Sequence, residues 1–213
     1  LVWYLIIFPL VIIAIFYLLV TQHHYKLYSP RDFQSDHSFL ETIRPSDKMK
    51  NIESEYKLVL DEDNKTDSSE RRNNFQKALL AEERFIDFLE KNFTVKFRRN
   101  VRIPSIKGSP DFDALATISG ELVAVEVKYL TNRINEAAFL NVIEKQISRF
   151  NCLYLEFSKI ARAKSFSAII GIVKSDEVKH DKSYKQRIED LYSKMPFKIT
   201  VFEYELSELN KSL

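Results

Sequence analysis

The sequence predicts an α/β fold, a mixed central sheet with helices packed on it, preceded by one transmembrane helix. Three observations predict it. Leu1 to Val20 is an unbroken apolar run without a charged side chain. From about residue 72 onward, stretches with apolar residues at helical spacing alternate with short runs rich in β-branched and aromatic residues. Two of those runs, 111–118 and 121–129, are separated only by Ser119-Gly120, which reads as a two-residue hairpin turn.

The apolar run is long enough to cross a bilayer, since about 20 helical residues span the hydrocarbon core. Trp3, Tyr4 and Tyr17 lie near its ends, where amphipathic rings favour the interface, and Pro9 is tolerated in a membrane helix. The run reads as a single-pass anchor in the lipid bilayer rather than a signal peptide, because no basic stretch precedes it and no small-residue cleavage site follows Val20. Lys26 and Arg31 follow the span, which places the rest of the chain on the cytoplasmic side of the membrane.

Residues 21–70 read as a polar juxtamembrane linker, partly helical. They carry 7 Lys/Arg against 11 Asp/Glu, a net of −4. Lys48 to Leu60 has a modest apolar stripe of Met49, Ile52, Tyr56 and Leu60, and the acidic stretch Asp61 to Glu70 reads as solvated. Residues 71–213 form the globular domain, with 25 Lys/Arg against 19 Asp/Glu and a net of +6. That balance permits a polyanionic partner without requiring one. The single cysteine, Cys152, excludes a disulfide framework and a cysteine-based zinc site.

Within the domain a first helix is expected over about 72–92. Its apolar residues Phe75, Ala78, Leu79, Phe85, Ile86 and Leu89 all project within about 60° of position 82, which is a glutamate. A carboxylate at the centre of a buried stripe needs a partner, a metal ion or water. A strand over about 94–103 carries Lys96, Arg98, Arg99 and Arg102, either a solvated edge or a rim that contacts phosphates.

In the hairpin that follows, a two-residue turn makes opposite residues sum to 239. Asp113 then faces Glu126, and Asp111 faces Lys128, all four on one face with Leu115, Leu122 and Ala124. Phe112, Ala114, Ala116, Val123, Val125 and Val127 occupy the other face as core. A long helix over about 135–163 buries Phe139, Ile143, Ile147, Phe150, Tyr154 and Phe157, with Gln146 bordering the stripe. A strand (165–173), a charged helix (184–194) and a last strand (197–204) complete the order.

Two carboxylates facing each other across a hairpin repel, and a divalent cation resolves the conflict. Oxygen-only ligands favour Mg²⁺ or Mn²⁺ over zinc. Lys128, two residues beyond Glu126 on the same face, is placed to stabilise charge developing on a phosphate or to orient a water. Glu-Val-Lys alone is common on exposed strands, where alternate charges simply face water. Such a solvated strand would not need an acidic residue at the paired position or a carboxylate in the helix stripe.

Pro110-Asp111-Phe112-Asp113 and Glu126-Val127-Lys128, in an αβββαβ order, resemble the PD-(D/E)xK nuclease superfamily over about residues 72–173. The nearest likeness is to small bacterial nucleases and Holliday-junction-resolvase-like, restriction-endonuclease-like folds, where a Lys-Gln pair on the later helix corresponds to Lys145-Gln146. The resemblance implies metal-dependent cleavage of DNA, sometimes of RNA, often by a homodimer. It implies that Asp113, Glu126 and the Val127 carbonyl hold the metal and that Lys128 supports the attacking water, with Glu82 and Gln146 accessory. Lys96, Arg98, Arg99, Arg102 and Lys145 are the candidate nucleic-acid contacts. Two aspartates compete for one role: Pro110-Asp111 matches the motif's name, and Asp113 matches the hairpin geometry. The expected function is that of a membrane-anchored, divalent-metal-dependent endonuclease. The competing functions are a nucleic-acid-binding module that has lost catalysis and a structural membrane protein.

Overall fold

The computed structural model describes residues 40–59, 68–106, 108–132, 134–160, 163–178 and 184–212. The apolar run 1–20 and most of the acidic stretch 61–70 lie outside the described residues, and among those described no helix is long and apolar enough to cross a membrane.

The architecture is α/β. Among the described residues one mixed sheet has six strands in the order of the chain: β1 (Glu41–Thr42), β2 (Arg98–Arg102), β3 (Asp111–Ile118), β4 (Glu121–Leu130), β5 (Ser165–Lys174) and β6 (Lys198–Glu205). Strands β1 to β4 pair antiparallel, whereas β4–β5 and β5–β6 pair parallel. The helices are α1 (Pro45–Val59), α2 (Ser68–Phe93), α3 (Glu136–Ile160), α4 (Lys185–Tyr192) and α5 (Leu206–Ser212). The change of direction follows from the connections. From β2 to β4 short connections join antiparallel neighbours, whereas α3 and α4 carry the chain back across the sheet to make β5 and β6 parallel; β1 joins β2 antiparallel from the far side of two helices.

Apolar residues fill both faces of the sheet. On one, Leu115, Leu122, Ala124, Ala168 and Ile170 pack against Phe139, Ile143, Ile147, Phe150 and Leu153 of α3. On the other, Ala114, Ala116, Val123, Val125 and Val127 pack against Ala81, Phe85, Ile86 and Leu89 of α2, with Leu206 and Leu209 of α5. Both faces of the hairpin are therefore core, and only its open end is polar. Gly171 on β5 permits the close approach of α2: a Cβ there would lie 2.5 Å from the buried Phe85 ring, well inside van der Waals contact.

The hairpin turn has positive φ at both central residues, 52° at Ser119 and 83° at Gly120, the signs of a type I′ turn. The expected register holds from Ile118↔Glu121 to Ala114↔Val125. Strict alternation fails just beyond it. Phe112 stacks on Phe150 of the α3 layer at 5.8 Å, whereas Ala114, two residues on, packs in the α2 layer. On the neighbouring strand Asn100, across from Asp113, has a φ of 54°, a conformation that Asn tolerates better than most residues.

Residues 41–59, assigned by composition to a linker, are packed onto the domain. Strand β1 extends the sheet, and Ile43 is buried. Helix α1 lies over the open end of the hairpin with Lys48, Asn51, Ile52 and Glu55 turned toward it. Met49, in the modest apolar stripe with Ile52, is about half exposed. The side chains of Tyr56 and Leu60 lie outside the described residues. Charge selects the inward face of α1, because the surface beneath it is itself charged.

Candidate active site

The site forms where the β3–β4 ladder ends. One step beyond Ala114↔Val125, the Asp113 carboxylate replaces a strand carbonyl and accepts the Val127 N–H at 2.8 Å. That bond satisfies a backbone donor at the ladder's end and fixes the Asp113 carboxylate between the two strands. Its second oxygen lies 3.3 Å from the Lys48 ammonium, which also donates to Glu82 and to the Asn100 side-chain oxygen. Glu126 is 3 % exposed and lies 3.5 Å from the Lys128 ammonium. Lys128 in turn donates to Glu55 at 2.6 Å, Gln146 donates to the other Glu55 oxygen at 3.3 Å, and Arg149 donates to Gln146 at 3.1 Å. A pocket beneath α1 joins Lys48, Glu55, Asp113, Glu126, Lys128 and Gln146, and Glu82 lines an adjoining one with Glu55, Asp113 and Lys128.

Four carboxylates, Glu55, Glu82, Asp113 and Glu126, thus share two ammonium groups, with Arg149 at the edge. The imbalance divides the acids. Burial pushes the Asp113 carboxyl up, but Lys48, Lys128 and the Val127 N–H outweigh it and hold it below the usual carboxylate range. Burial pushes Glu82 up, the Asp113 charge adds to it, and Lys48 offsets only part, leaving Glu82 at about 8. Glu126 is raised well above its ordinary value by burial first and by Asp113 second. Burial disfavours the charged form of both lysines. Even so Lys128 is raised by Glu55, Glu126 and Asp113, and Lys48 by Asp113 and Glu82.

Asp113, Glu126, Lys128, Glu82 and Gln146, chosen from sequence, therefore converge on one pocket region. Glu82 is the centre of the α2 stripe that the helical projection indicated, and Glu83 beside it is exposed. Asp111 lines the pocket too, with partners other than the one expected. Instead of facing Lys128 it is held by Arg102 across β2 at 2.6 and 3.0 Å, and by Asn51 at 3.2 Å. The ladder's end is the physical reason: β3 at that level pairs with β2 alone.

The basic residues also divide. Arg99 is bound to Asp87 at 2.6 Å and to Glu90 at 3.0 Å, and Lys96 to Glu90 at 2.8 Å, so both have carboxylate partners on α2. Arg98 is half-buried opposite Leu115. Arg102 and Lys145 line a second, wider groove with Ser54, Ser148 and Arg149, which meets the first pocket at Asn51, Glu55, Asp111, Gln146 and Arg149.

Sequence reasoning missed Lys48, Glu55, Asn100 and Arg149. The one available signal was the i, i+3, i+4, i+7 spacing of Lys48, Asn51, Ile52 and Glu55, a helical face with a single apolar member.

The donor set is oxygen-only, as Mg²⁺ or Mn²⁺ requires, and its excess of carboxylates suits an added cation. Among the described residues, however, no three His, Cys, Asp or Glu side chains already converge as a metal site. The Lys48 ammonium lies between Glu82 and Asp113, where it does part of a cation's work. No family model, curated protein or solved structure matches this chain.

Proposed function

We propose that the chain is a divalent-metal-dependent phosphodiesterase cleaving nucleic acid, DNA in the first place, and that its domain is a restriction-endonuclease-like member of the PD-(D/E)xK superfamily. The observation that carries this reading is the joining of Asp113, Glu126 and Lys128 at the open end of one hairpin, in a pocket with more carboxylates than cations. The order α2, three antiparallel strands, α3 and a parallel strand supports the finer fold assignment.

In this reading Asp113 and Glu126, with the Val127 carbonyl, hold Mg²⁺ or Mn²⁺. A bound divalent ion would polarise a phosphoryl oxygen and acidify a water. The chain's own groups do the rest. The Val127 N–H anchors one Asp113 oxygen and leaves the other to face the pocket. Lys128, kept protonated by surrounding carboxylates, stabilises negative charge on the reacting phosphate. Gln146, held by Arg149, aligns groups beside Lys128, and Glu82 adds a proton-bearing carboxyl at the rear. Residues 1–20 anchor the domain to a membrane, with the domain on the cytoplasmic side.

A second reading, a nucleic-acid-binding module without catalysis, is favoured by one observation: no three-ligand cluster is preformed among the described residues. The full chain, purified in detergent and incubated with plasmid, single-stranded and branched DNA, separates the two. Cleavage dependent on Mg²⁺ or Mn²⁺ and abolished in Glu126→Ala and Lys128→Ala is expected. Binding without cleavage under every metal would favour the second reading. Normal cleavage by Asp113→Asn would remove Asp113 from the metal site.

A further inference from the structure

We propose that α1 is a self-docked latch: Lys48 stands in for the metal ion and Glu55 for the substrate phosphate, so the site opens only when α1 is displaced. The proposal rests on the phosphodiesterase reading of the site.

The geometry is specific to this pairing of charges. Lys48 places its ammonium on Asp113, one of the two carboxylates assigned to the metal, and on Glu82 and the Asn100 side-chain oxygen, so it takes up the Asp113 oxygen that faces the pocket. Seven residues later, two turns along the same helix face, Glu55 sets one oxygen 2.6 Å from Lys128 and the other 3.3 Å from Gln146. Those are the donors that would receive phosphate oxygens. One rigid helix therefore delivers a cation to the acids and an anion to the lysine, a copy of a metal–phosphate pair in side chains. Both copies occupy the pocket, so neither is compatible with the groups it imitates.

Over residues 45–55 the latch is held mainly by charge. No residue from Pro45 to Glu55 is fully buried, and Ile52 is the one apolar side chain of that stretch lining the pocket. Along residues 45–55 little apolar area opposes its release. A divalent ion offers the carboxylates twice the charge of an ammonium, and a polyanion offers Lys128 a replacement for Glu55, so metal and substrate together compete with both contacts at once.

Hydrogen exchange on the wild-type chain in detergent, with and without Mn²⁺ and a phosphorothioate duplex, tests the idea directly. Amides of residues 46–58 should exchange at least about tenfold faster when Mn²⁺ and duplex are bound, while β3 and β4 keep their protection. Unchanged protection of α1 with Mn²⁺ bound would overturn the latch. Calorimetry on Lys48→Met/Glu55→Gln supplies a second measurement, with Mn²⁺ expected to bind at least about tenfold tighter than to the wild type. Equal or weaker binding by the variant would make α1 a component of the site and sink the latch, while leaving the phosphodiesterase reading standing. Absence of Mn²⁺ binding from both proteins would remove that reading and the latch with it.

Discussion

Two clusters of charge lie on α2, eight residues apart, and they obey opposite rules. At Glu90 the acids and bases balance: Asp87 and Glu90 meet Lys96 and Arg99, and Glu90 also accepts the Phe97 N–H at 3.0 Å. Although burial alone would raise it, the Glu90 carboxyl is held below its ordinary value by Lys96, the Phe97 N–H and Arg99. At Glu82 the acids outnumber the bases, and both Glu82 and Glu126 are pushed up. The first cluster is a satisfied joint between a helix and the following strand. The second holds repulsion that folding would remove if stability were the sole criterion, and such unresolved charge marks a candidate site. The difference teaches that counting cations near a strand says little until their carboxylate partners are known.

The largest expected effect is at Glu126. Glu126→Gln removes a buried carboxyl that already disfavours ionisation, so thermal unfolding should move upward or stay unchanged, while metal-dependent cleavage falls by about 10²–10³-fold or more. Calorimetry and a plasmid-nicking assay on the same preparation read both. A clear fall in melting temperature would place Glu126 with the satisfied cluster. Next, Glu90→Gln should cost about 1–3 kcal/mol by urea unfolding, because it discharges a carboxylate that two cations and a backbone donor share. Its cleavage rate should match the wild type.

The pH dependence of stability should differ in sign between the clusters. A carboxyl lowered in the folded state stabilises above its unfolded value, so the Glu90 contribution is present above 4.5 and lost as the pH falls below it. A raised carboxyl binds its proton more tightly when folded, so Glu82 lowers stability as the pH rises from 4.5 to about 8. Glu82→Gln should flatten the melting-temperature profile across that second window and leave the acid limb alone. An unaltered slope between pH 5 and 8 would contradict the charge imbalance assigned to the pocket. The smallest effect concerns nucleic-acid affinity. Lys145→Ala, in the groove beside the pocket, should weaken DNA binding and reduce its salt dependence by about one counterion. Lys96→Ala, whose exposed ammonium pairs with Glu90, should change both less.

Much of this was legible along the chain because it depends on short-range periodicity. The Ser119-Gly120 turn set the hairpin register, since a two-residue loop leaves one pairing that keeps apolar residues inside. The period of α2 singled out Glu82 before any contact was known. The pairing of Asp113 with Glu126 was legible only up to the point where the ladder stops. There the Asp113 side chain takes over from the backbone, a local event that no alternation pattern records.

The order of helices and strands, the hairpin, the common face of Glu126 and Lys128, and the place of Glu82 at the centre of the α2 stripe were determined by the sequence itself, because residue spacing dictates which side chains share a face. The tertiary structure decided everything that depends on distant segments meeting. Lys48 reaches Asp113 across 65 residues, and Glu55 reaches Lys128 across 73. Arg102 captures Asp111 because β2 happens to be its remaining neighbour. Charges have no period to betray their partners, and a stretch with the composition of a linker becomes part of a pocket once its one charged face finds opposite charges to meet.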